Sequence, residues 1–144
     1  MDFYEFRERA GSGVDAKTED LAQAVIGAAI EVHKHLKPGL PENVYKLALC
    51  HELKLRGIPF ECEVRFPIMY KGVQVGEGFV DVLVDRRLVL ELKAVEALNE
   101  VHRAQTIGYL QALDLQLALL INFNVVVLKN GIKRVINSYK NLRA

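Results

Sequence analysis

The chain has no tryptophan, only two cysteines, and no apolar run approaching the roughly 20 residues that a membrane-spanning helix needs. Each shortage excludes something. Without such a run, no membrane partner is expected. Cys50 falls on an expected helix and Cys62 on an expected strand, so they form no metal-binding motif. They read as buried free thiols of a reducing cytoplasm. The absence of tryptophan, and of any evident sugar platform, weighs against a glycoside hydrolase built on paired acids. Met1 to Glu8 shows no signal-peptide pattern, which gives cytoplasm as the expected location. Excess charge is scarce too. A net charge of +1 does not by itself point to nucleic acid.

What is present is an ordinary globular composition. The chain has 144 residues, 51% hydrophobic and 26% charged, enough for one domain with a sizeable core. Charge is unevenly spread. Residues 1–20 hold six acids against three bases, whereas Lys129, Lys133, Arg134, Lys140 and Arg143 lie in residues 125–144 with no acid among them. A basic surface of this kind suits phosphate contacts. An ordinary solvated face is the alternative.

Along the chain, residues 1–16 contain Gly11-Ser12-Gly13 and read as a loose N-terminal arm, and residues 17–144 read as a single domain. Thr18 is the expected N-cap of a helix whose apolar positions are Leu21, Ala24, Val25, Ala28, Val32 and Leu36. Pro38-Gly39 stops it. A second helix is expected from about Pro41 to Gly57. Residues 58–70 are extended, with Pro67 marking an edge or a bulge. Two strands follow, then a helix over residues 97–113 and an apolar strand from Gln116 to Phe123. Val125–Leu128 and Ile132–Ile136 flank Lys129-Asn130-Gly131, which reads as a hairpin turn. The expected order is α-α-β-β-β-α-β with a final strand or hairpin, a central mixed sheet flanked by helices. Gly76 and Gly78 are followed by no helix, so a dinucleotide site is unsupported. They read instead as a bulge or close approach near Asp81.

The two consecutive strands carry the chemistry. Gly78 to Val84 contains Asp81, and Leu88 to Lys93 contains Glu91 and Lys93. Charges inside apolar strands are costly unless paired or bound to a metal. Alternation puts Glu91 and Lys93 on one face. A turn centred on Arg86 sets Asp81 opposite Glu91, which requires a three- or five-residue connection rather than a two-residue one. Two carboxylates that close repel unless a cation sits between them. The reading is therefore a divalent-metal site with a lysine beside it, against the alternative of a structural ion-pair cluster.

Val32-His33-Lys34, Gly39-Leu40-Pro41-Glu42-Asn43-Val44-Tyr45, Asp81-Val82-Leu83-Val84, Glu91-Leu92-Lys93-Ala94 and His102-Arg103-Ala104-Gln105 through Tyr109 occur in order, followed by Leu120-Ile121-Asn122-Phe123 and Ile132-Lys133-Arg134. Together they resemble the GxxExxY family of the PD-(D/E)xK nuclease superfamily. The resemblance runs from about residue 20 to 136. Lys37, Pro41 and Asn43 depart from the family's usual residues.

The resemblance implies a restriction-endonuclease-like fold and hydrolysis of phosphodiester bonds, DNA being the expected substrate, with Mg²⁺ or Mn²⁺. It implies Asp81, Glu91, the Leu92 carbonyl, Glu42 and His33 as metal ligands, and Lys93 as the group that orients or deprotonates water or holds phosphate oxygens. Gln105 and Tyr109, four apart on one helix face, would orient the lysine and contact substrate. Without the resemblance, Glu42 reads as an acid favoured by the helix dipole, His33 as a surface or core histidine, and Gln105 and Tyr109 as a polar stripe. The rival reading is a non-catalytic nucleic-acid-binding or protein-interaction module that keeps the fold. Gripping a duplex with so small a domain calls for a second copy or a partner protein.

Overall fold

The computed structural model describes residues 13–137, so most of the expected N-terminal arm, and Lys140 and Arg143, lie outside the described residues. Helix α1 (Ala16–Leu36) and helix α2 (Glu42–Leu55) come first. Strands β1 (Phe60–Tyr70), β2 (Val73–Val84) and β3 (Leu88–Lys93) follow. Then come helix α3 (Glu100–Leu113), strand β4 (Leu117–Asn122), a 3₁₀ turn over Leu128–Gly131 and strand β5 (Ile132–Ile136). The strands form one sheet in the order β1-β2-β3-β4-β5. Only β3 and β4 run parallel, because α3 carries the chain back between them. The expected mixed sheet flanked by helices is what the chain forms.

Each face of the sheet has its own core. Leu88, Leu90 and Leu92 of β3 and Leu117, Leu119 and Ile121 of β4 pack with α1 and α2. Val89, Ala118, Leu120 and Val135 pack with Leu110 of α3. Full burial on both faces explains why β3 and β4 read as continuous apolar runs.

Two local expectations fail. The N-cap of α1 is Asp15, not Thr18: the Asp15 carboxylate accepts the Thr18 N–H at 2.8 Å. Val125–Leu128 forms no strand. β5 pairs directly with β4, Leu117 opposite Ile136, so the last hairpin has no place for another strand. Val126 and Val127 are left exposed instead. Pro67 does lie on an edge strand, and the β1–β2 register slips one residue beyond it, between Ile68 and Met69. Gly78 marks a close approach as expected, to a side chain: a Cβ there would lie 2.1 Å from the Phe66 ring.

Candidate active site

The site residues are set by the β2–β3 hairpin. Asp85 and Arg86 both adopt positive φ, 49° and 53°, and the Arg87 N–H closes the turn on the Val84 carbonyl. Three residues thus connect Val84 to its partner Leu88, followed by Leu83–Val89 and Val82–Leu90. This is the register centred on Arg86, and its continuation sets Asp81 against Glu91. The ladder stops at Val82–Leu90. Beyond it the Leu92 N–H donates to Asp81 Oδ2 at 2.9 Å, and the Asp81 N–H points at Glu91 Oε1 at 3.4 Å. Carboxylates therefore take up backbone donors where the strands part.

The parting has a visible cause. Val82 and Val84 pack toward α1 and α2, whereas Val80 packs toward α3. On β1, Phe60 packs with the first core, and Val64 and Phe66 with the second. Both strands change faces at the same level, where β1 has Glu63 at φ 54° and the Glu63–Asp81 step is missing from the pairing. Asp81 sits on this crossover, aligned with neither core.

Asp81 and Glu91 are 8% and 7% exposed. Burial, and then the Asp81 carboxylate, push Glu91 up to about 8, despite the Asp81 N–H and Lys93 pulling the other way. Glu42 opens α2, where the chain leaves Pro41. Its carboxyl is also held above the usual range, by lost hydration first and by Asp81 second, against the opposing pull of Lys93 and Lys46. Glu42 therefore lies within the electrostatic reach of Asp81, Glu91 and Lys93. Lys93 is half-buried and, among the described residues, closes no salt bridge to either carboxylate. By alternation with Leu90 and Leu92, Glu91 and Lys93 point to the face covered by α3.

That helix carries Gln105 and Tyr109, which do share a face: Gln105 Nε2 donates to Tyr109 Oη at 3.2 Å. The Tyr109 ring meets Phe66 edge-on, with centroids 5.3 Å apart. Among the described residues neither side chain hydrogen-bonds to Asp81, Glu91 or Lys93. His33 is buried, and its Nε2 lies 2.8 Å from the Val125 carbonyl. As a donor there it leaves only Nδ1 for any other partner, and among the described residues no hydrogen bond or ion pair joins it to the acids. Tyr45, the last residue of the glycine-to-tyrosine motif, is fully buried and stacked on Phe123. Its hydroxyl donates to the Lys37 carbonyl and accepts the Leu40 N–H, so it fixes the loop that presents Glu42.

The donor set suits a hard divalent cation. Mg²⁺ typically takes one or two protein carboxylates and keeps waters, and the cost of the buried acid pair is what such a charge offsets. Among the described residues no group of three or more His, Cys, Asp or Glu is arranged to hold a metal, so two carboxylates carry the fit.

The sequence pattern of the PD-(D/E)XK nuclease superfamily matches residues 19–135. The chain belongs to this superfamily. Among solved structures it resembles the crystal structure of SSO0001, at 20% identity and a TM-score of 0.49, over 65% of this chain and 48% of that one. The chain thus spans about half the length of that protein. No curated protein matches significantly. No described helix is long and apolar enough to cross a membrane.

Of the basic C-terminal residues expected to suit phosphate contacts, Lys133 shares a cross-sheet row with the acids. Glu91 is opposite Leu120 on β4, and Leu120 is opposite Lys133 on β5. Lys133 therefore stands in the same cross-sheet row, two strands and roughly 10 Å from Glu91. With Arg103 of α3 it flanks a cavity of about 200 Å³ floored by Leu120. Register parity could have found this, once β5 was known to pair with β4.

Proposed function

We propose that the protein is a metal-dependent nuclease that hydrolyses phosphodiester bonds of DNA, with Mg²⁺ or Mn²⁺ held by Asp81 and Glu91. The carrying observation is the buried acid pair beside a lysine that, among the described residues, closes no salt bridge to either member. Superfamily membership supports the same reading. The finer assignment to the GxxExxY family rests on the motif from Gly39 to Tyr45 and its position next to the acids.

A bound divalent cation would offset charge on the scissile phosphate and lower the pKa of water. The rest falls to the chain. Asp81 is held in place by the Leu92 N–H, so it is preorganised as a ligand. Glu91 gives up a proton to become one. The Leu92 carbonyl is a candidate backbone ligand, and Glu42 supplies a third carboxylate from the helix side through water or a second ion. Lys93 orients or deprotonates the attacking water, or holds a phosphate oxygen. Gln105 and Tyr109 line the approach from α3, and Lys133 and Arg103 hold a neighbouring phosphate. His33 is assigned an outer role, since its ring is tied to the Val125 carbonyl.

The test is a cleavage assay on plasmid, linear and single-stranded DNA with Mg²⁺ or Mn²⁺. Lys93→Ala should bind metal and DNA as the parent does, and lose cleavage by about two orders of magnitude or more. Lys133→Gln should lower the salt dependence of DNA binding by about one unit of slope. Equal cleavage by Lys93→Ala would refute the chemistry. DNA binding without turnover in the parent would favour the non-catalytic binding module.

A further inference from the structure

Cys50 and Cys62 take no part in the site, and the structure corrects the expectation that both thiols are buried. Cys50 is buried on α2, but Cys62 is exposed on the edge strand β1. Their sulfurs lie 2.8 Å apart, both as free thiols. A disulfide bond is about 2.05 Å long, so the two need to close by less than an ångström. The backbones are already clamped. One turn before Cys50, Lys46 Nζ pairs with Glu63 Oε1 at 2.8 Å, and the Lys46 side chain is only 14% exposed. Two adjacent residues of β1, Cys62 and Glu63, thus meet one face of α2. Cys62 is also the register partner of Val82, the neighbour of Asp81.

We infer that Cys50 and Cys62 are a redox-modification site, which a small-molecule disulfide converts to an intramolecular Cys50–Cys62 bond stapling α2 to β1 beside Asp81. Exposure decides the order of events. The Cys62 thiolate attacks one sulfur of the reagent, the Cys62–S–SR bond forms, and RS⁻ departs. Cys50 follows: burial, with Cys62 beside it, pushes its thiol up to about 12, so it loses its proton only as it attacks the Cys62 sulfur. A second RS⁻ departs. Two protein thiols and RSSR become one protein disulfide and two RSH, with two electrons passing to the reagent. Excess dithiol reverses it. The bond constrains the unfolded chain and leaves α2, which carries Glu42 and Lys46, fixed on β1.

The full chain, fully reduced, is incubated with oxidised glutathione and examined by intact mass, thiol titration, non-reducing electrophoresis and thermal unfolding. The parent should lose two hydrogens in mass and both titratable thiols, stay monomeric in the gel, and unfold several degrees higher. Cys50→Ser and Cys50→Ala should each stop with one glutathione on Cys62. Cys62→Ser should react far more slowly, because only buried Cys50 remains. Stable glutathione adducts on the parent, disulfide-linked dimers, a chain that stays reduced, or an oxidised form that unfolds at or below the reduced midpoint would each overturn the inference.

Discussion

Among the described residues, two pairs of ionisable groups are buried in opposite ways. Glu19 of α1 and Arg134 of β5 have side chains only 4% exposed, and the guanidinium grips the carboxylate through two bonds at 2.6 and 3.3 Å. Asp81 and Glu91 are nearly as buried and carry the same sign. The first pair ties a helix to an edge strand and leaves the carboxylate compensated. The second is left with Glu91 holding a proton up to about pH 8. Burial alone therefore does not mark a site. What marks it is a buried charge that the fold declines to pair, since such an arrangement costs stability unless a ligand completes it.

A large effect is expected from making the first pair resemble the second. Arg134→Met removes the guanidinium that grips the buried Glu19 carboxylate and should cost about 3–5 kcal/mol in urea unfolding. The double variant Arg134→Met/Glu19→Leu should recover most of that, because both buried charges are removed together. Similar losses in both variants would mean the pair acts through packing rather than charge.

An effect of comparable size is expected at the second pair. The Glu91 carboxyl titrates near 4.5 unfolded and about 8 folded, so between those values the folded state holds a proton that the unfolded state has released. Metal-free stability should therefore fall as pH rises through that window, with the full loss present above it. Glu91→Gln should flatten this dependence and exceed the parent in stability above pH 8. Parallel stability–pH curves for the two proteins would place the proton elsewhere.

The smallest effect concerns a buried polar group that is neutral and satisfied. Tyr45→Phe removes the bond to the Lys37 carbonyl and the one from the Leu40 N–H, and should cost about 1–2 kcal/mol in chemical unfolding. It should also weaken metal-dependent cleavage modestly, by loosening the loop before Glu42. A larger loss of activity than of stability would move Tyr45 from support to chemistry.

Much of this was legible in the sequence because it is local. The hairpin register followed from the centre at Arg86, the shared face of Glu91 and Lys93 from strand parity, and the first helix end from Pro38-Gly39. What escaped was long-range or set by backbone twist. Glu19 and Arg134 are 115 positions apart, and no spacing rule connects them. The face change at Glu63 and Asp81 depends on a positive φ at a residue with no glycine signal. The Cys50–Cys62 contact needed the docking of α2 on β1. Val125–Leu128 has strand-like residues, but β5 had already claimed the edge of β4.

The proposed function requires Asp81 and Glu91 to form a cation site. Its most direct test is calorimetric titration of Mn²⁺ into the metal-free chain at pH 7, in two buffers of different ionisation enthalpy, beside Asp81→Asn and Glu91→Gln. The account predicts saturable binding with release of about one proton in the parent, as Glu91 ionises to become a ligand. Binding should be weakened in both variants, and Glu91→Gln should release no proton. Binding of equal strength in all three proteins, or binding by the parent without proton release, would contradict it.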